Sequence, residues 1–369
     1  MKISQEKWNL RDENYGPLLP YVLDENVTDI NYNGEDVWIE DITKGRYKAM
    51  VEEDGKEVPL NLDENFVEAF GRRIADVVSA NFNQIDNLLE AETETLRISI
   101  VHDSVAVTGK SISIRKTPAV RRLTMEKILE EGYCNEEGIR FLINCIKAKM
   151  NVVFCGLPGA GKTELLKFLT SYIPQDEKVI TIEDNLEIHY RTINPGSNCT
   201  EWKVDEKLFP YTKAIKAALR QNPQWVMLSE ARSKEVTYLL EAFSTGLHGL
   251  TTMHTDDCRK IPDRIENMMQ DAYAAERLEN DVYSFINVGV LLRKKVKEDG
   301  TIFRYVDQIC LFDRVGEKNM VVLLFEDGKF ISKELPANIK KKFSLEDILD
   351  PFNDTVITSE RREEDDGTI

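Results

Sequence analysis

The sequence lacks any apolar run approaching the roughly 20 residues that a membrane-crossing helix takes. It also lacks paired cysteines: its six stand singly at 134, 145, 155, 199, 258 and 310. With no CxxC spacing, neither a zinc ribbon nor a disulfide framework is indicated, and the thiols read as reduced, buried small hydrophobes. Positive charge is in deficit, with 48 Lys and Arg against 65 Asp and Glu, a net charge of −17. The isoelectric point is about 4.9. An acidic surface repels phosphate-rich partners, which argues against a general nucleic-acid or anionic-lipid binder, and no direct DNA binding is expected. Residues 1–15 are mixed in charge and have no apolar core of the signal-peptide kind. The expectation is a cytoplasmic protein that touches the inner face of the cell membrane only peripherally.

What is present is an ordinary globular composition, 42% hydrophobic and 31% charged over 369 residues, enough for two or three domains. Residues 1–20 read as an N-terminal extension ending at Pro17 and Pro20. Residues 21–116 mix strand-like runs (Val37–Glu40, Tyr47–Val51, Leu96–Val101, Ser111–Ile114) with one amphipathic helix over Phe66–Ser79, giving a small α/β domain. A linker at 117–124 carries Pro118 and ends at Thr124, a suitable helix N-cap. Helices are expected near 125–131 and 135–148. From 151, strands and helices alternate: Val152–Cys155, Lys178–Glu183, Trp225–Ser229 and Leu250–His254 as strands, with Glu164–Tyr172, Tyr211–Gln221 and Val236–Ser244 as helices. Such alternation predicts a mostly parallel sheet with ligands at its carboxyl edge. The domain is bounded at 125–315. Two hairpins are signalled by Asp299-Gly300 and Asp327-Gly328, the second within a C-terminal extension, 316–369, whose last dozen charged residues are expected to be disordered.

Gly156-Leu157-Pro158-Gly159-Ala160-Gly161-Lys162-Thr163 fits the phosphate-binding pattern GxxxxGK[ST]. Its glycines let backbone N–H groups curl toward phosphates, Lys162 is the cation for the β- and γ-phosphates, and the Thr163 hydroxyl is a Mg²⁺ ligand. Glu230 closes a second strand, where such a site holds its attacking water or its metal. Glu183 and Asp184 end another strand; alone, an Asp after a strand is more often a turn or a cap. His254 ends a further strand, where either a γ-phosphate sensor or a structural histidine fits. Arg97 and Arg115 lie on first-domain strands, either solvated or serving as cations delivered to the phosphates.

Together these elements resemble the secretion ATPase superfamily of type II and type IV secretion and type IV pili. Its four boxes match in order: GLPGAGKT, ITIEDNLEIH, VMLSEARS and TGLHGLTTMHTD. In the first domain VTDINYNG and ISIRK look like the family's opening and its arginine strand, the latter with the flavour of the Tad-pilus and conjugative branch. The resemblance covers about residues 20–315. It implies a P-loop NTPase (RecA-like) C-terminal domain behind a smaller α/β N-terminal domain, with ATP and Mg²⁺ as ligands. It implies a nucleotide site of Gly156, Gly159, Ala160, Gly161, Lys162, Thr163, Glu164 and Arg232, with Thr163 and Glu230 at the metal. Glu230, Glu183, His254, Arg97 and Arg115 are the implied catalytic set. The implied assembly is a homo-oligomer, a hexameric ring acting on a polytopic membrane platform protein. Pro158, Glu164 and Ser229 depart from the family pattern, and Glu164 sets a carboxylate where repulsion would weaken nucleotide binding. A catalytically weak nucleotide-binding scaffold is the alternative function.

Overall fold

The computed structural model describes residues 10–205, 207–233, 235–268 and 272–354. The chain divides into two units, Met1–Pro118 with Lys295–Phe303, and Ala119–Lys294 with Arg304–Ile369.

In chain order the first unit's strands are β1 (Val27–Tyr32), β2 (Val37–Asp41), β3 (Gly45–Lys48), β4 (Met50–Glu53), β5 (Lys56–Pro59), β6 (Leu88–Glu92), β7 (Leu96–Val101) and β8 (Ser111–Lys116). Six of them form one sheet in the order β3-β2-β1-β8-β7-β6. Period-2 alternation decides its faces. Ile98 and Ile100 of β7 pair with Ile114 and Ile112 of β8 and are buried, while Arg97 and Ser99 take the other face. The helix Glu64–Val78 packs on the apolar face through Val67, Phe70 and Ile74, its start capped by Asp63, which accepts from Asn65 N and Phe66 N. The run Tyr47–Val51 is not one strand: the chain breaks at buried Ala49, and β4 leaves to pair with β5 about Asp54-Gly55, both at positive φ. That is the backbone a two-residue hairpin favours.

The second unit holds β9 (Val152–Cys155), β10 (Val179–Glu183), β11 (Cys199–Lys203), β12 (Trp225–Leu228), β13 (His248–Met253), β14 (Val288–Val296), β15 (Ile302–Val315), β16 (Lys318–Glu326) and β17 (Lys329–Phe330). They form one sheet in the order β11-β10-β12-β13-β9-β14-β15-β16-β17. The pairings from β11 through to β14 are parallel, and those of β15 with β16 and β16 with β17 are antiparallel. The strands are buried on both faces, as parallel sheets require: Val152 and Phe154 belong to one core, Val153 and Cys155 to the other. The α/β architecture expected from the alternation is present. Edge strand β11 escaped the sequence reading because CTEWK is half-exposed throughout and shows no apolar run.

The unit boundaries differ from those expected. Residues 10–20 are not a separate extension, because Leu10, Tyr15 and Leu18 are buried in the first unit's core, with Tyr15 against Phe70. Nor does the second unit end at 315: β16 continues its sheet, and Ile339, Phe343 and Phe352 enter its core beside Phe141. The final dozen residues lie outside the described residues. Among the described residues no helix is long and apolar enough to cross a membrane.

At the amino edge of the second sheet, buried Asn151 ties neighbouring segments together. Its Oδ1 accepts from Gly249 N at 2.9 Å, its Nδ2 donates to Phe285 O at 2.6 Å, and its backbone N–H donates to Asn287 Oδ1 at 3.0 Å. Asn151→Ala strands a buried donor and a buried acceptor, each costing about 1–3 kcal/mol. Urea unfolding of that variant is expected to report a loss of about 2–4 kcal/mol.

Candidate active site

β9 ends at Cys155 and the chain turns at once into the loop 156–161. Gly156 (φ +144°), Gly159 (φ +74°) and Gly161 (φ +92°) adopt backbone that L side chains rarely take. At Gly156 space is decisive as well, because a Cβ would come within 2.3 Å of Leu292 O on β14. The helix Lys162–Leu169 follows, with Gly161 as its N-cap and no side chain capping it. A glycine-curled loop opening a helix N-terminus is an anion site, with backbone N–H groups and the positive end of the helix dipole directed at it.

The parallel register brings four strand ends level beside this loop. Ile182 of β10 pairs with Leu228 of β12, Leu228 with Thr251 of β13, and Met253 with Cys155 of β9. The residues following these ends form a continuous polar line. Lys162 Nζ donates to Gly156 O at 2.9 Å, to Leu157 O at 3.3 Å and to His254 Nδ1 at 3.3 Å. His254 Nε2 meets Glu230 Oε1 at 3.1 Å. Nδ1 also lies 3.1 Å from Gly156 O, so this ring nitrogen faces the Lys162 cation and a carbonyl acceptor together, while Nε2 faces the Glu230 carboxylate. Glu230 Oε2 accepts from Arg232 Nη2 at 2.8 Å, and Arg232 Nη1 donates to Asp184 Oδ2 at 2.9 Å. The Tyr211 hydroxyl closes the line on Asp184 Oδ1 at 3.3 Å.

The backbone carrying Glu230 and Arg232 is itself pinned. Ala231 N donates to Thr252 O, the Thr252 hydroxyl donates to Ser229 O, and Glu235 Oε1 accepts from the N–H groups of Arg232 and Ser233. Burial lowers the Lys162 pKa, and nearby Glu230 opposes that shift. The pair with Glu230 raises that of Arg232 further above its ordinary value.

Glu183 stands apart from this line. Fully buried at the end of β10, its pKa is pushed up to about 8 by desolvation. Its Oε2 accepts from Glu187 N (2.9 Å) and Ile188 N (3.1 Å), while Oε1 has no hydrogen-bond partner among the described residues. It therefore shapes the segment that carries Glu187, whose Oε2 accepts from the Thr163 hydroxyl at 3.4 Å. Glu164, one residue on, lies 4.0 Å from the Nζ of buried Lys167, which supplies opposite charge and offsets the repulsion expected of that carboxylate. Ala160 is buried inside the loop. In the first unit, Arg97 and Arg115 are direct cross-strand partners on the polar face, Arg115 donating to Asp29 Oδ1 at 2.8 Å and Arg97 lying 3.8 Å from Glu90.

Four residues at the loop were not expected there. Glu187 lies within the ITIEDNLEIH box, four positions after Glu183, but was not singled out, and Tyr133, Lys294 and Arg304 come from segments outside 151–260. Arg304 Nε donates to Gly159 O at 2.8 Å, the Tyr133 hydroxyl donates to Gly161 O at 3.3 Å, and a Cβ at Gly159 would lie 3.1 Å from Lys294 Nζ. The pairing of β14 beside β9 brings Lys294 there, and the next strand in the sheet, β15, brings Arg304.

Fold and site define a P-loop domain of the RecA-like kind, with a smaller α/β unit preceding it in the chain. The chain belongs to the Type II/IV secretion system protein family, whose model matches residues 83–301. It is 28% identical over 319 residues to an uncharacterized protein of Bacillus anthracis, a match covering 83% of this chain and 69% of that one. It is 27% identical over 326 residues to the type IV secretion system protein VirB11 of Brucella suis, covering 77% and 86%. The crystal structure of the pilus retraction motor PilT with bound ADP shares the fold at a TM-score of 0.54 and 18% identity, over 86% of this chain and 82% of that one.

The raised pKa of Glu183 fixes the sign of a pH effect. Between its ordinary value of 4.5 and about 8, the folded chain holds a proton that the unfolded chain has released. Stability therefore falls as pH rises through that window, and the contribution is gone above it. Glu183→Gln is expected to flatten this decline in chemical denaturation series from pH 5 to pH 9, and to gain on the wild type as pH rises.

Proposed function

We propose that the protein hydrolyses ATP at the loop 156–163 and uses the cycle to move one domain relative to the other, powering pilus assembly, secretion or conjugative transfer through a membrane machine. The observation that carries this reading is the polar line from Lys162 through His254 and Glu230 to Arg232 and Asp184 beside the loop. A general base, a phosphate-binding cation and a histidine joining them are the parts that phosphoryl transfer to water needs.

In this reading the N–H groups of the loop and Lys162 hold the β- and γ-phosphates, for which Lys162 exchanges its bonds to the Gly156 and Leu157 carbonyls. Thr163 would hold Mg²⁺. The ion supplies charge neutralisation at the phosphates. Glu230 takes the proton of the attacking water. Arg232 and His254 orient its carboxylate, and one of them has to release it for that step. Since His254 touches both Lys162 and Glu230, it is suited to report whether phosphate is present.

Lys162→Ala is expected to abolish hydrolysis and to weaken nucleotide binding strongly. Glu230→Gln should bind MgATP and lose at least about 100-fold in turnover. Phosphate release with and without DNA is the assay, and stimulation by DNA would point instead to a translocase. Near-wild-type turnover in Glu230→Gln would move the base to Glu183 or Asp184.

The active species in this proposal is a closed hexameric ring at the inner face of the cell membrane, acting on a polytopic platform protein. The side-by-side Arg97 and Arg115 supply cationic charge to a nucleotide of their own or a neighbouring subunit. Each is held near a carboxylate in the first unit, Arg115 by Asp29 and Arg97 by Glu90, and would exchange that partner for phosphate. Head-to-tail contacts between copies close into a ring when the rotation allows. Mixing inactive Lys162→Ala with inactive Arg115→Ala protein tests the arrangement. Recovered activity is expected if Arg115 acts across subunits; no recovery, despite subunit exchange and with both variants folded, would place it within its own subunit or outside the site altogether.

A further inference from the structure

The outer wall of the P-loop is built by residues that no sequence motif marks. Leu292 O of β14 closes on Gly156, and the Tyr133 hydroxyl and Arg304 Cδ stand 3.2 and 3.3 Å from where a Cβ at Gly161 would be. Tyr133 is fixed in turn, because its carbonyl accepts from Val306 N at 2.8 Å, two residues beyond Arg304 on β15. Arg304 Nε then donates to Gly159 O, and the Tyr133 hydroxyl to Gly161 O, which also accepts the helical bond from Leu165 N at 3.1 Å.

A trans peptide is rigid, and its C=O and N–H point in opposite directions. The carbonyl of Gly159 shares its plane with the N–H of Ala160. A donor that holds this carbonyl outward holds that N–H inward, where it meets Leu157 O across the loop at 3.2 Å. The two flanking glycines, Gly159 and Gly161, make this stretch of backbone easy to rotate. Within the loop a neutral bond, Ala160 N to Leu157 O, opposes the turning over of this peptide. Arg304 adds a charge-assisted bond, stronger than a neutral one.

We infer that Arg304 is a positioning residue for nucleotide binding: it locks the Gly159–Ala160 peptide, whose N–H closes the turn on Leu157 O, and so holds the curl that directs the loop's other N–H groups at the phosphates, with Tyr133 as the supporting donor on Gly161. The inference rests on ATP binding at this loop. Arg304 touches no phosphate in this arrangement and acts only by preorganising the donors that do. Its removal is therefore expected to act on binding rather than on the chemical step.

The test is titration of the full-length protein with ADP and with MgATP, together with steady-state hydrolysis, for Arg304→Met, Arg304→Lys and Tyr133→Phe. Arg304→Met keeps the apolar stem and loses the donor. It is expected to weaken ADP binding and to raise KM for ATP by about tenfold. Its kcat at saturating ATP should stay within about twofold of wild type, and its melting temperature without nucleotide should be unchanged. Arg304→Lys, which keeps a charged donor, should recover most of the affinity, and Tyr133→Phe should show a smaller loss of the same kind. Wild-type affinity in Arg304→Met overturns the inference. So does an equal fall in kcat, affinity and melting temperature that Lys does not rescue, since that marks a merely structural residue. Lys162→Ala is the control: if it too binds like wild type, the nucleotide site is elsewhere, and that failure is distinct from a loop that binds ATP without needing Arg304.

Discussion

The parallel pairing of β10, β12, β13 and β9 is the constraint on which the site depends. Each strand is short and buried on both faces, so its register is held by two apolar cores at once. A slip of one residue would exchange the side chains facing those cores. With register fixed, the residues following each strand stand side by side, and their polar groups meet without any of them being close in sequence. Lys162 and His254 are 92 positions apart and in contact, and Arg232 reaches Asp184 across 48.

That crowding gathers charge at a partly buried edge, and the structure handles it by pairing. Glu230 is held from both sides, by His254 and by Arg232. Glu164 finds Lys167 on the next turn of the same helix. Glu183 is the exception, since two backbone N–H bonds do not offset its desolvation and its pKa rises. A carboxyl group in that condition is better suited to shaping the segment after β10 than to carrying negative charge at a phosphate site. Asp184 and Glu187, beside it in sequence, are the carboxylates that reach Arg232 and Thr163.

The chain passes between the two units at Pro118–Ala119 and again on either side of Lys295–Phe303. The second passage is the β14–β15 hairpin. Its strands carry Leu292, Lys294 and Arg304 at the P-loop wall. Its tip belongs to the first unit, where Ile302 N donates to Thr43 O at 2.9 Å. The strands of that covalent path lie against the loop 156–161.

Much was legible in the sequence where the physics is local. The P-loop could be read because glycine at 156, 159 and 161, followed by Lys162 and Thr163, is a backbone requirement written in consecutive residues. The helix over 64–78 and the strands at 96–101 and 152–155 could be read because burial of one face or both imposes a period on neighbouring positions. Glu230 and His254 could be placed near the loop because each follows such a strand. Tertiary structure alone decided which of these groups touch. It joined Glu230 to His254 and Arg232, buried Glu183 out of the polar line, and drew residues 10–20 and 316–354 into the two cores. It also set Arg304, on a hairpin strand 145 positions from Gly159, and Tyr133, 28 positions before Gly161, against the loop. Those contacts depend on strand order in the sheet, which is set by the packing of both faces together and has no counterpart in the order of residues along the chain.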